Sequence, residues 1–185
     1  MRIDMGDKKF YTIPFVWSRT LWIMTFALFG LWLGYSAFAL WKIYITADVT
    51  SWLVSLIVFN VVMLPTVLIC EGLAPQRLEI SKSRIVILRR YNSVTIEAQE
   101  IESIELLPKN ALRGAVRMGG VSGFFGWFGN FYTFKLGSFK LYATNFENLF
   151  LVTKWGGQKI VFSCSEPEKI EQLVYGQNST ATPQS

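Results

Sequence analysis

Histidine is absent from this chain of 185 residues, and cysteine occurs only twice. Without histidine, the most common metal ligand and the most common general base near neutral pH are both missing. Ser-His-Asp, Cys-His and zinc-histidine centres are therefore excluded. Cys70 and Cys164 belong to no C-x-x-C pair, so the sequence predicts neither a disulfide framework nor a metal site, and two buried thiols in a reducing compartment are expected.

Charge is also scarce, since only 17% of the residues are charged while 51% are hydrophobic. Such a composition is typical of a membrane protein. Two runs of 22 uncharged residues, 20–41 and 49–70, are each long enough to cross a hydrocarbon core of about 30 Å as a helix. Because the segment between them is short, the sequence predicts an antiparallel transmembrane hairpin over residues 19–71.

The orientation of the hairpin follows from its basic flanks. The loop between the spans contributes Lys42 alone, whereas several cations flank the outer ends of the hairpin: Arg2, Lys8, Lys9, Arg19, Arg77, Lys82 and Arg84. By the positive-inside rule, both termini are expected in the cytoplasm. The small-x-small sequence at 37–39 offers the alternative of a cleaved signal peptide, but the 20-residue leader with two aspartates disfavours it.

The spans lack the residues that transport needs. Tyr35 and Cys70 are their only ionisable side chains, so an anchor is a better interpretation than a channel or a transporter. Gly30 and Gly34 form a G-x-x-x-G pattern at about the depth of Asn60. We expect this face to pack within the hairpin, with Asn60 bonding across the helices to the backbone or to Ser36; homodimerisation through the same residues is the alternative.

Beyond Leu78 the pattern changes to short β-rich segments. Eight strands are predicted: LEIS, RIVILRR, VTIEA, IESIELLP, FYTFKL, FKLYAT, LFLVTKW and KIVFSC. They indicate one sandwich or barrel, and in 139–144 the odd residues should face the core while the even ones face solvent. Ser165 to Glu168 forms a capping box that opens a helix through about residue 175. Four units are thus predicted. Residues 1–18 form a cytoplasmic segment, residues 19–71 the hairpin, residues 72–176 the β domain and residues 177–185 a disordered tail.

A two-helix hairpin followed by strands and a terminal helix resembles the bacterial pleckstrin-homology-like (PH-like) membrane proteins. The likeness covers about residues 73–174 and is carried by LGSFKLYATNFENLFLVT and by KIVFSCSEPEKI before the helix. It implies an all-β PH-like sandwich or partly open barrel capped by a C-terminal helix, anchored in a bacterial cytoplasmic membrane. Lys82 and Arg84 are similar to the basic pair of eukaryotic lipid-binding members, but no headgroup is implied by the resemblance.

Acidic residues are missing from the whole stretch between Glu105 and Glu147. Five cations lie there, and their charge equals the net +5 of the protein: Lys109, Arg113, Arg117, Lys135 and Lys140. Only six residues separate Glu71 from the first predicted strand, a reach of about 20 Å at most, so the domain must stay at the membrane surface. Each cation near anionic lipid contributes about 1 kcal/mol.

The segment from Arg117 to Tyr132 combines six aromatic rings with a glycine at every third position from Gly120 to Gly129. This spacing fits neither a helix nor a strand face, so an irregular loop or bulged hairpin is predicted. The rings need an apolar neighbour: the membrane interface, which we favour, the open end of the barrel, or a second subunit. The predicted contact set for lipid or partner is Phe124, Phe125, Trp127, Phe128, Phe131, Tyr132, Arg113 and Arg117.

A second candidate site follows from the turn at Gly137-Ser138. If the turn is a two-residue type II′ hairpin, Lys135 stands opposite Lys140, and the two ammonium groups could hold an anion with Thr133 and Tyr142 beside them. The alternative is that both lysines extend into water.

No catalytic constellation accompanies these features. The glutamates at 97, 100, 102 and 105 are typical of a solvated face, and no phosphate-cradling motif is present. The sequence therefore predicts a non-catalytic membrane module with no cofactor and no nucleic-acid partner, contacting anionic lipid or a membrane protein. A homo-oligomeric scaffold is the alternative.

Overall fold

The computed structural model describes residues 11–170. It contains two long N-terminal helices followed by a sandwich of two β-sheets that does not close into a barrel. Residues 167–170 open the terminal helix, in the place that the capping box predicts. The rest of that helix and the predicted tail lie outside the described residues.

The two helices are α1 (Arg19–Ile45) and α2 (Val49–Leu73). Ser18 caps α1, because its side chain accepts a hydrogen bond from the Leu21 amide at 3.2 Å, and Asp48 caps α2 in the same way. Both helices are long and apolar enough to cross a membrane, and most of their surface is not covered by protein. A membrane association is thus supported.

The four-stranded sheet has the order β1 (Tyr11–Pro14), β2 (Pro75–Ile80), β3 (Arg84–Arg89) and β4 (Ser93–Glu97). β1 was not predicted, since a four-residue strand carries little periodicity. It pairs antiparallel with β2, with Ile13 opposite Leu78. The helical hairpin is therefore inserted between two neighbouring strands of one sheet, and residues 11–14 belong to the β domain.

The connections to the two apolar helices are shorter than the sequence suggested. α2 continues to Leu73 and β2 begins at Pro75, so Ala74 alone joins them. On the other side, residues 15–18 join β1 to α1, and the Ser18 amide donates to the Thr144 carbonyl at 3.0 Å. The sandwich is thus attached directly to both helices; we call this side its helix-facing end.

The second sheet contains six strands in the order β5-β9-β10-β8-β7-β6. These are β5 (Ile101–Leu107), β6 (Val116–Ser122), β7 (Trp127–Thr133), β8 (Gly137–Ala143), β9 (Leu149–Lys154) and β10 (Lys159–Ser163). β8 and β10 run parallel, and the other neighbours run antiparallel. β6 was missed as a strand because of its glycines.

Apolar side chains cover both faces of this sheet. One face packs on the four-stranded sheet through residues such as Phe128, Phe150 and Phe162, and the other carries a second cluster with Leu141 and Ala111. The predicted alternation along 139–144 holds for the buried odd residues and for the exposed Lys140. It is wrong at Tyr142 and Thr144, which are buried.

Candidate functional site

The glycine and aromatic segment forms the hairpin β6–β7, with a β-bulge between Arg117 and Gly119. The bulged hairpin expected from the sequence is thus observed. Gly120 and Gly129 stand directly opposite each other, and a Cβ on Gly129 would lie 2.3 Å from the Gly119 carbonyl oxygen. The glycines permit a backbone approach that no side chain would allow.

The β6–β7 turn (residues 123–126) lies against α1. A Cβ on Gly123 would lie 2.9 Å from the Met24 sulfur, so the turn and the helix are in direct contact. The Phe124 ring lies 6.1 Å from the Phe29 ring, and the Phe125 ring lies 5.9 Å from Trp17. These rings therefore extend the aromatic surface of the first helix.

Phe125 adopts an unusual backbone conformation. Its φ of 57° is the only positive value at a non-glycine residue within 11–170. A bulky side chain in this left-handed region costs about 1–3 kcal/mol, and such strain persists where the surroundings enforce it, often at functional positions. Here the strained residue lies in the turn that places Phe124 and Phe125 beside α1.

The remaining rings of the predicted contact set lie elsewhere. Phe128 and Phe131 are 3% and 4% exposed and belong to the two faces of the sheet, so they are core residues and not contact residues. Trp127 is half-buried, 4.6 Å from the Phe146 ring. Tyr132 lies at the far end of β7, next to Phe134. Phe128 and Phe131 thus lie in the core of the sandwich, whereas Phe124 and Phe125 lie against α1.

The predicted cations do not surround the turn. Arg117 pairs with Phe131 near the start of β6, about 16 Å along the strand from Ser122. Arg113 is exposed in the connection between β5 and β6, which ends at that same far end of the hairpin. The structure therefore separates the aromatic turn from the two arginines that neighbour it in sequence.

The anion site predicted around Lys135 and Lys140 has a different register. Thr133 pairs with Gly137, so residues 134–136 form a three-residue turn and Lys140 stands opposite Asn130. Gly137, the residue directly after the turn, has φ 72°, a left-handed value that glycine adopts readily. The Thr133 hydroxyl accepts from the Leu136 amide at 3.0 Å, and Tyr142 is buried on the inner face. The opposed lysine pair does not form, and the prediction was wrong because the strand ends earlier.

Asn60 does bridge the two helices, but with another partner than expected. Its side-chain oxygen accepts from the Trp32 indole at 3.0 Å, and Tyr35 and Ser55 share a second bond of 2.5 Å. Gly30 and Gly34 point elsewhere, since no atom lies within 4 Å of a Cβ built on either. Packing of the glycine face within the hairpin is therefore wrong, and that face is open in the single chain.

A second contact with the helices comes from the β3–β4 turn, which sequence reasoning missed. The Arg90 guanidinium pairs with the Glu71 carboxylate at 2.7 Å, and the Tyr91 hydroxyl donates to the Leu68 carbonyl at 3.1 Å. Arg89, which precedes them, lies between the sheets with its guanidinium carbon 5.3 Å from the centre of the Tyr142 ring. A basic pair before a turn is too common for the sequence to single it out.

Burial raises the pKa of Tyr142, while the nearby Arg89 charge acts in the opposite direction. The phenol thus stays protonated near neutral pH and can donate a hydrogen bond. Within residues 11–170 there is no group of three or more Cys, Asp or Glu side chains that could hold a metal ion.

Taken together, the fold is a PH-like β-sandwich attached to a pair of apolar helices. The family model for the bacterial PH domain matches residues 76–177, which is more than half of the chain. The protein therefore belongs to the bacterial PH domain family. No curated protein and no solved structure matches it. PH domains are in general non-catalytic interaction modules, so an interaction role is the class of function that the fold supports.

Proposed function

We propose that this protein is a non-catalytic, membrane-anchored interaction module whose β6–β7 turn enters the cytoplasmic leaflet of a bacterial inner membrane. The observation that carries the proposal is the contact of Phe124 and Phe125 with Phe29 of α1. Trp22 and Trp41 are 19 residues apart, or about 28 Å along a helix, which matches the spacing of the two interfacial aromatic belts. Phe29 then lies about 10 Å inside the Trp22 belt.

The proposed partner is lipid, or a membrane protein that occupies the same place beside α1. Phe124 and Phe125 are only partly covered by this chain, so acyl chains or a partner helix would complete their burial. Two aromatic rings at this depth would also fix the tilt of the sandwich against the membrane, together with the one-residue link after α2. Both termini are proposed to be cytoplasmic.

Depth measurements on a spin label test the turn directly. Phe124→Cys and Met118→Cys carry the label on the same hairpin, and Met118 is 70% exposed. In proteoliposomes we expect the label at 124 to be accessible to oxygen and protected from a water-soluble nickel relaxant, and the label at 118 to show the reverse. Equal exposure of both labels to the nickel relaxant would refute the membrane contact.

The orientation is tested by labelling intact cells with a membrane-impermeant maleimide. Ala47→Cys lies in the short loop between α1 and α2, and Met118→Cys lies in the sandwich. The proposed topology requires labelling at 47 without prior lysis and at 118 only after lysis.

A homo-oligomeric scaffold is a second candidate, favoured by the open face at Gly30 and Gly34. Small residues on an uncovered helix face permit close packing of a second copy. If this face is the interface, Gly30→Ile with Gly34→Ile should halve the particle mass measured by light scattering in mild detergent. Phe124→Ser with Phe125→Ser should leave the mass unchanged; loss of mass only in the phenylalanine variant would place the interface at the β6–β7 turn instead.

A further inference from the structure

Arg89 occupies a sheltered position at the helix-facing end of the sandwich. It is the last residue of β3, its backbone pairs with Pro75 at the start of β2, and its amide donates to the Asn92 carbonyl at 3.0 Å. The guanidinium lies over the Tyr142 ring of the opposite sheet. Its side chain therefore lies between the two sheets, at the helix-facing end of the sandwich.

The side chain of Arg89 makes no hydrogen bond to any residue within 11–170. Its Nε atom is buried and has no hydrogen-bond partner, and no carboxylate among residues 11–170 forms an ion pair with it. The adjacent Arg90, in contrast, is paired with Glu71. Buried polar groups almost always have a partner, so an unpaired guanidinium nitrogen indicates a missing water or ligand.

Tyr142 adds a second donor beside the first. Its hydroxyl makes no hydrogen bond to any described residue, although the side chain is only 6% exposed. A planar guanidinium with several N–H groups lies next to a phenolic O–H, which can also donate. No acceptor among the described residues pairs with these donors. The ligand class that such a set recognises is an oxyanion, and the fork of arginine fits phosphate best.

The position of the donor pair points toward the membrane. Pro75 follows α2 by one residue, and a Cβ on Gly126 of the β6–β7 turn would lie 3.6 Å from the Pro75 ring. The β3–β4 turn touches α2 through Tyr91. Because Pro75 pairs with Arg89, the donor pair lies close to the two turns that contact the helices. Lys82 and Arg84, similar to the eukaryotic lipid-binding pair, lie at the opposite end of β3.

We propose that Arg89 and Tyr142 form a binding site for the phosphate group of an anionic ligand, entered between the β3–β4 and β6–β7 turns. A phospholipid headgroup is one source of that phosphate, and a soluble phosphate is the other. The lipid source rests on the proposed membrane contact, whereas the soluble source does not.

Arginine Nε–H signals in nitrogen-15 NMR spectra of the full chain provide the test. The Arg89 signal is assigned by its loss in Arg89→Gln. Inorganic phosphate is added to protein in phosphate-free detergent, and in a second arm the protein is placed in nanodiscs of phosphatidylcholine with or without phosphatidylglycerol. A shift of the Arg89 signal with inorganic phosphate supports the site and identifies a soluble ligand. A shift only with phosphatidylglycerol supports it and identifies a lipid.

The variants measure the same site independently. Native mass spectrometry should show that Arg89→Gln weakens retention of phosphatidylglycerol, or of phosphate, by about tenfold or more, since a hydrogen bond to a charged group is lost. Tyr142→Phe should weaken it less. Arg90 is the neighbouring residue and belongs to an exposed ion pair. Arg90→Gln removes the same charge as Arg89→Gln, and it should change binding by less than about twofold.

Two results would overturn the site. An Arg89 signal unmoved by both ligands means that a water satisfies the guanidinium and the residue is structural. Equal loss of binding in Arg89→Gln and Arg90→Gln means that only the general positive charge matters. The spin-label depths do not depend on Arg89, so failure of the phosphate site and failure of the proposed membrane contact are distinguishable. If Arg89→Gln does not fold, Arg89→Lys, which keeps the charge but has no guanidinium, assigns the signal by the same loss, and the ligand titration of the unmodified protein then decides.

Discussion

At the scale of single residues, the glycines of the β6–β7 hairpin have unequal roles. Gly120 and Gly129 have φ values of 121° and 125° and stand opposite each other, so each is closed to a side chain by the backbone of the facing strand. Gly119 has nothing within 4 Å of a built Cβ and no positive φ. Glycine spacing alone could not separate these cases.

Gly129→Ala is therefore expected to destabilise the sandwich by more than about 1 kcal/mol, because both the strained φ and the 2.3 Å contact with Gly119 oppose a methyl group. Gly119→Ala is the matched control and should change the free energy of unfolding by less than about 0.5 kcal/mol. Denaturant unfolding in detergent measures both, and equal losses would contradict the described geometry.

Cys164 is buried, and burial raises the pKa of its thiol above the ordinary value. Thiolate is the reactive form, so alkylation by iodoacetamide should stay slow at pH 8, while Met118→Cys in the same protein should react readily. Above about pH 8.5 the unfolded chain loses this proton and the folded chain keeps it, so stability should fall as the pH rises. Rapid labelling of Cys164 under native conditions would disagree with its burial.

At the scale of elements, the two apolar helices are held together by side-chain bonds and not by their small residues. The Trp32–Asn60 bond and the Tyr35–Ser55 bond cross the helix interface. The sequence placed Asn60 at the interface correctly, because a lone amide in an apolar run needs a partner. It could not identify the partner, since helix rotation decides which residues of α1 face α2.

Asn60→Ala should weaken the association of α1 and α2 by about 0.6–1.7 kcal/mol, the range for hydrogen bonds between membrane helices. Val61→Ala alters a neighbouring residue that is 65% exposed and should have a smaller effect. Unfolding in mixed micelles of increasing SDS content compares them. The bond would be irrelevant to stability if both variants unfolded at the same SDS fraction.

The local sequence pattern did not predict where strand β7 ends. β7 ends at Thr133 and not at Leu136, because the turn chosen by the chain leaves three residues between the strands. Because the turn has three residues and not two, Lys140 stands opposite Asn130 and not opposite Lys135, and the predicted anion site does not form. Register depends on turn length, and that length is selected by pairing along the whole strand.

At the scale of the whole molecule, the hairpin of apolar helices and the sandwich are one structure. β1 precedes the hairpin and β2 follows it, yet the two strands pair along their length. Ile13 is 1% exposed and belongs to the same core cluster as Leu78 and Ile87. A movement of either helix would be transmitted directly to the edge of the four-stranded sheet.

Ile13→Ala should lower the free energy of unfolding of the β domain by about 2–5 kcal/mol, although the residue lies before the two apolar helices and the matched family region begins only at residue 76. Thr12→Ala lies on the exposed side of the same strand and should be nearly neutral. Near-ultraviolet circular dichroism during denaturant titration follows the sandwich. Equal behaviour of the two variants would show that β1 is dispensable.

The sequence by itself determined the composition class, the two apolar helices, the all-β nature of the second half and the family resemblance, which the family match confirms. These features depend on local properties: runs of apolar residues, short β-rich segments and turn residues all act within a few positions of each other. For the glycine segment, the sequence left an irregular loop and a bulged hairpin open, and the structure shows the hairpin.

Only the tertiary structure decided which rings of the aromatic segment meet α1 and which enter the core. The same applies to the place of β1, the open glycine face of α1 and the pairing of Arg89 with Tyr142. The physical reason is common to all four. Each depends on surfaces contributed by segments far apart in the chain, and contact between such surfaces is selected by packing of the complete fold, which no local pattern encodes.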